Sequence, residues 1–133
     1  MRFVLDASIT ITWALRDEDH PLADLVFLEI QSGSAIVPGI WWYEIRNVLV
    51  LNERRNRITP EDVTQFLESL DMFSIDFDFP RDGTQVIDLS RKYKLSVYDA
   101  AYLELAIRYR LPLATLDKDL RNAARAAGVP LLE

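Results

Sequence analysis

The chain has no cysteine and a single histidine in its 133 residues. Disulfide frameworks, thiolate zinc sites and thiol nucleophiles are therefore excluded, and histidine-rich metal sites and most triads go with them. Basic residues are also short, with 15 Lys and Arg against 21 Asp and Glu, a formal charge of −6 and a sequence pI near 4.8. That balance argues against a phosphate-binding surface, because Lys and Arg drive such binding by releasing counterions. Long hydrophobic runs are absent too: the apolar stretch Ile40–Tyr43 is four residues, where a membrane span needs about 20. Met1-Arg2 leads straight into an apolar strand pattern, with no signal-peptide core. No repeat, low-complexity tract or linker divides the chain. It reads as one domain, residues 1–133, soluble and cytoplasmic, whose chemistry must rest on carboxylates and hydroxyls.

Half the residues are apolar, enough for a real core, and short apolar runs alternate with longer helical patterns. Strands are expected at Phe3–Leu5, Ala35–Val37, Ser74–Phe79, Leu113–Leu116 and Val129–Leu132. Helices are expected over Ser8–Leu15, Pro21–Gln31, Ile40–Arg55, Pro60–Met72 with Thr59 as N-cap, Gly83–Tyr93, Ser96–Tyr109 and Lys118–Ala127. A charged turn, Arg16–His20, separates the first two helices, and His20 reads as a solvated turn residue. Strands alternating with helices imply right-handed crossovers and a mostly parallel sheet covered on both faces. The expected fold is a three-layer α/β/α sandwich, in which ligands gather beyond the carboxyl ends of the strands.

Four acids fall at that edge. Asp6 follows the first strand and Asp117 the fourth, Glu44 lies early in the helix after the second strand, and Asp99 lies in the first turn of the helix opening at Ser96. Each alone has a structural explanation: Asp6 and Asp117 as N-caps, Asp99 in a variant capping box, Glu44 as a solvated helix residue. Together they would repel one another, and no Lys or Arg is placed beside all of them. A hard divalent cation is the natural solution; magnesium suits a few carboxylates, several waters and substrate phosphate oxygens. Setting these four aside leaves 15 basic residues facing 17 acidic ones, which weakens the objection from acidity. Arg46, the Arg54-Arg55-Asn56-Arg57 turn, Arg108, Arg110, Lys118, Arg121 and Arg125 are then candidate phosphate contacts, with solvated surface as the alternative and, for Lys118 and Arg121, pairing with Asp119.

The segments Val4-Leu5-Asp6-Ala7-Ser8, Trp42-Tyr43-Glu44-Ile45-Arg46-Asn47-Val48-Leu49, Ser96 to Ala106 with Asp99 within it, and Leu113-Ala114-Thr115-Leu116-Asp117-Lys118-Asp119-Leu120, in that order, resemble the four signature segments of PIN domains, most of all the VapC-type toxins of toxin-antitoxin modules. The resemblance implies a magnesium- or manganese-dependent endoribonuclease leaving 5′-phosphate and 3′-hydroxyl ends. It implies Asp6, Glu44, Asp99 and Asp117 as the metal-holding acids. Ser8 and Thr115 match hydroxyls near the first and fourth acids, Asn47 matches a supporting Asn, and Asp119 is a further acid in the last segment. It also implies a VapB-type antitoxin that lays an apolar, Arg-bearing segment near the acids, and a homodimer, for which Ile45, Val48, Leu49 and Asn52 form a candidate stripe, with core packing as the alternative.

Phosphodiester hydrolysis needs an activated water and neutralisation of charge growing on phosphate and leaving oxygen, which bound divalent ions supply. RNA would be read through unpaired bases, stacking and 2′-hydroxyls, and Trp13, Trp41, Trp42, Tyr43, Tyr98 and Tyr102 lie near the expected rim. Two other readings compete. An Asp-nucleophile phosphatase would use Asp6, but the dehalogenase-type pattern wants a second Asp where Ser8 stands. A catalytically idle PIN-like module would keep the fold only to bind a protein.

Overall fold

A computed structural model describes residues 1–15 and 20–133; of the expected charged turn, Arg16–Asp19 lies outside the described residues. The elements are β1 (Arg2–Leu5), α1 (Ala7–Ala14), α2 (Pro21–Ser32), β2 (Ser34–Pro38), α3 (Ile40–Arg54), α4 (Pro60–Leu70), β3 (Ile75–Asp78), α5 (Thr84–Tyr93), α6 (Val97–Tyr109), β4 (Leu113–Ala114) and α7 (Lys118–Ala126). The four strands form one sheet in the order β3-β2-β1-β4, every pairing parallel. Helix α6 packs over β1, β2 and β4 with α5 and α7 beside it, while α1 touches α2 and α3, and α2 reaches β2. The expected α/β sandwich is therefore the fold observed. Among the described residues no helix is long and apolar enough to cross a membrane.

Local chemistry explains the starts. Thr59 makes a complete capping box with Asp62, and Pro60 opens α4. Strands β1 and β2 read as short continuous apolar runs because both faces are covered, and Phe3, Val4, Leu5, Ala35, Ile36 and Val37 are all buried.

Three expectations need correction. The alternation in β3 predicts Phe77 and Phe79 buried and Asp78 in water, yet Phe77 and Phe79 are exposed and Asp78 is partly buried. The strand is at the sheet edge: Phe77 meets Trp41 edge-on at 5.7 Å and Phe79 lies against Gly39, while Asp78 turns to the Arg108 guanidinium of α6. The fourth strand stops at Ala114 because Leu116 and Asp117 give their N–H groups to side chains instead. The last expected strand reduces to one parallel bridge, Leu113 to Leu131, held by Leu113 N–H to Pro130 O (2.9 Å) and Leu132 N–H to Leu113 O (3.0 Å). Of the candidate dimer stripe, Ile45, Leu49 and Asn52 are buried within this chain, as the core-packing alternative has it, and Val48 is half-buried. The Asn52 amide bonds Val48 O and Arg57, closing the α3–α4 turn.

Candidate metal centre

Asp6 continues β1 beyond its last ladder bond, Asp6 N–H to Ala114 O at 2.9 Å, and occupies the N-cap position of α1. Its side chain makes no cap bond there. The carboxylate is 5% exposed, and its Oδ2 accepts two hydroxyl protons, from Ser8 Oγ at 2.7 Å and Thr115 Oγ1 at 2.6 Å. Each hydroxyl is itself oriented by a backbone donor from the β4–α7 turn: Leu116 N–H to Ser8 Oγ (2.9 Å) and Asp117 N–H to Thr115 Oγ1 (3.0 Å). A hydroxyl that accepts an amide proton has its own proton aimed elsewhere, here at Asp6. The two hydroxyls therefore tie the carboxyl ends of β1 and β4 together through one buried oxygen.

Glu44, in the second turn of α3, accepts the Tyr102 phenol at 2.7 Å. Asp99 sits in the first turn of α6, where Ser96 Oγ caps its N–H at 3.1 Å. The reciprocal bond that would complete a capping box does not form. Asp117 caps α7, its Oδ1 accepting Leu120 N–H at 2.9 Å, so the N-cap explanation holds for Asp117 and fails for Asp6.

Electrostatics groups these four. Burial first, and then the nearby Asp117, push the Asp6 carboxyl above the ordinary range against the pull of its two hydroxyl bonds. Burial, Asp6 and Asp99 raise Glu44 against the Tyr102 bond. Asp99 is pushed up to about 6 by burial, Asp117, Asp6 and Asp119. Burial and the neighbouring Asp6 and Glu44 keep the Tyr102 phenol protonated, hence a donor. No described Lys or Arg forms an ion pair with any of the four. They are near enough to repel, but among the described residues no three His, Cys, Asp or Glu side chains converge into a ready-made ion cage. The donor set fits a hard divalent ion that keeps much of its water, since magnesium takes only one or two carboxylates directly.

The remaining expected residues divide. Ser8 and Thr115 join the site as carboxylate-orienting groups. Asp119 is exposed on α7 and adds negative potential at Asp99. Asn47 is exposed on α3, one turn after Glu44, and hydrogen-bonds no described residue. Arg121 pairs with Thr115 O (2.9 Å) and Glu133 (2.9 Å) rather than Asp119. Sequence reasoning missed the part played by Tyr102, which it took for an aromatic near the rim. Its signal was the three-residue spacing from Asp99, which puts both on one face of α6.

A parallel sheet gathering mutually repelling carboxylates at its carboxyl edge defines an α/β domain with an acidic site. The chain belongs to the PIN domain family, whose family model matches residues 3–126. No curated protein matches it. Among solved structures it is similar to PAE2754 from Pyrobaculum aerophilum (20% identity, 92% of this chain and 79% of that one, TM-score 0.67). It is also similar to a toxin-antitoxin complex from Klebsiella pneumoniae (22%, 88% of each chain, TM-score 0.61) and to FitAcB from Neisseria gonorrhoeae (18%, 100% and 97%, TM-score 0.63). At these identities the likeness establishes the fold.

Proposed function

We propose that this PIN domain is a magnesium- or manganese-dependent endoribonuclease acting as the toxin of a toxin-antitoxin pair. The observation that carries the reading is Asp6: a buried carboxylate held by two hydroxyls, with Glu44, Asp99 and Asp117 around it and, among the described residues, no ion pair to balance them. Both hydroxyl protons go to Oδ2, which leaves Oδ1 as the oxygen for an ion. A bound divalent ion supplies Lewis-acid polarisation of the phosphate and a water of lowered pKa. The chain supplies orientation. Tyr102 holds Glu44 by a proton it does not give up, Ser8 and Thr115 fix Asp6, and the α7 cap fixes Asp117. Asp99 would help hold the ion from the first turn of α6. Such outer contacts commonly carry 10- to 100-fold in metal affinity or activity.

The toxin part of the reading is supported by the likeness to the toxin-antitoxin complex from Klebsiella pneumoniae. A cleft of about 560 Å³ lined by Leu22, Leu25, Leu116 and Arg121 borders the rim at Leu116 and suits the apolar part of an antitoxin segment. Cleavage of unstructured RNA by wild type and by Asp6→Asn, with Mg2+, Mn2+ or chelator, tests the activity. We expect metal-dependent cleavage that Asp6→Asn abolishes. Equal cleavage by both proteins, or none by wild type, overturns the assignment. Co-purification with the product of an adjacent small reading frame, with loss of cleavage in the complex, tests the antitoxin.

A further inference from the structure

The six aromatic residues near the rim separate into two groups. Trp41 and Tyr102 are buried with their donors satisfied by Thr10 and Glu44. Trp13 gives its N–H to Ala23 O and packs between Phe27 (5.3 Å) and Phe73 (6.3 Å). These three hold the fold. Trp42, Tyr43 and Tyr98 instead stand 42%, 67% and 60% exposed, and neither tyrosine hydroxyl bonds a described residue.

The positions of the tyrosines are unusual. Tyr43 immediately precedes Glu44 on α3 and Tyr98 immediately precedes Asp99 on α6, so each Cα lies about 3.8 Å from that of a site acid. Both are near the starts of helices that begin at the carboxyl edge of the sheet. Tyr43 is braced: Trp42 meets it edge-on at 4.9 Å and 70°. Trp42 is in turn covered by the Arg46 guanidinium, 3.7 Å from its ring centre, which also bonds Trp42 O at 3.2 Å.

We propose that Tyr43 and Tyr98 are stacking platforms for unpaired bases on either side of the phosphodiester at the acids. This rests on the nuclease reading. The reasoning is one of charge and geometry. A chain of formal charge −6 has little capacity to bind a polyanion by counterion release. Stacking on an aromatic face carries no charge and accepts every base, at about 1–3 kcal/mol per base. A base already stacked in a duplex offers no such face, so only an unpaired strand can use both rings.

The test uses the full chain with a short fluorescein-labelled unstructured RNA, the same strand annealed to its complement, and strands with abasic ribose beside the cleaved bond. Steady-state kinetics in Mn2+ should show KM raised about 5- to 150-fold by Tyr43→Ala or Tyr98→Ala, the stacking range at 1.4 kcal/mol per tenfold. Phe at either position should restore most of that loss. Abasic strands should cost wild type as much as the Ala change does, and cost the Ala variant little more. The duplex should be a poor substrate, and the salt dependence of KM should keep its slope in the variants. Unchanged KM in both Ala variants, with wild type cleaving, overturns the proposal alone. So does a shift of oligomeric state in sedimentation with KM unmoved, which would assign the rings to a protein contact. A wild type that cleaves no RNA overturns the nuclease reading itself.

Discussion

Replacing Asp99 with Asn should make the metal-free protein more stable while abolishing its activity. The Asp99 carboxyl is pushed from 3.8 to about 6, chiefly by burial and then by Asp117 and Asp6. Below about pH 4 the carboxyl is protonated folded and unfolded alike, and there is no penalty. Between the two values the folded chain holds a proton that the unfolded chain has released, so stability falls as pH rises through that window, and the loss is complete above about pH 6. At 1.36 kcal/mol per pKa unit the ceiling is about 3 kcal/mol. The side chain is only half-buried, and screening by water reduces this to about 1 kcal/mol, or about 3–5 °C in Tm for a chain of this size. Asp78 titrates with the opposite sign, because Arg108 holds it below the usual carboxylate range. The quantity to measure is therefore the difference between wild type and Asp99→Asn in chelator, by thermal melts from pH 4 to 8. The variant should gain about 1 kcal/mol above pH 6 and nothing near pH 4. Excess Mn2+ at pH 7.5 should reverse the order by stabilising wild type, by about 2.7 kcal/mol at 100 times Kd. A variant no more stable than wild type at pH 7.5, or a wild type whose Tm ignores manganese, refutes the reasoning.

Thr115→Ala should leave the Asp117 N–H without its acceptor and Asp6 short of a donor, costing about 1–3 kcal/mol in denaturant melts and about tenfold or more in cleavage, with Thr115→Ser recovering most of both. Tyr102→Phe should weaken manganese binding about 10- to 100-fold by calorimetry while costing only about 1 kcal/mol of stability. Arg108→Ala strands Glu104, which is 4% exposed, and should cost about 3–5 kcal/mol with activity per folded molecule preserved. Gly128, at φ +75°, should lose about 1 kcal/mol as Ala, read as a shift in urea midpoint.

Much of the fold was legible because its signals are local. Thr59-Pro60-Glu61-Asp62 announces a helix by its own cap chemistry, and Phe3-Val4-Leu5 is too short and too apolar to be anything but a covered strand. The acids were legible through topology: once the strands are parallel, whatever follows β1 and β4 shares an edge. What escaped lies in pairings between distant elements. Nothing in Ser74–Phe79 says that Arg108, thirty positions on, will take Asp78 and leave Phe77 at an exposed margin. Asn47 shares helix spacing with Glu44, yet Glu44 is half-buried against Tyr102 while Asn47 is exposed. The Tyr102 bond to Glu44 joins α6 to α3 across 58 positions, and helical spacing reports which residues share a face, never what the face will meet.

The same asymmetry bears on how an acidic chain would engage RNA on the proposed reading. Several cations that look available in the sequence are spent internally: Arg2 on Asp76, Arg91 on Asp88, Arg108 on Asp78 and Glu104, and Arg121 on Thr115 and Glu133. On the proposed reading, an ion held by the carboxylates would then add attraction for a phosphate at one place. A site built this way fixes the scissile bond strongly and its neighbours weakly, which is why contacts indifferent to charge are required beside it. The exposed aromatic residues adjoining Glu44 and Asp99 are where the structure offers them. Desolvation and mutual repulsion of the acids thus do two things at once on this reading: they cost the metal-free protein stability, and they would be relieved by a cation of opposite charge, which in turn would attract a phosphate.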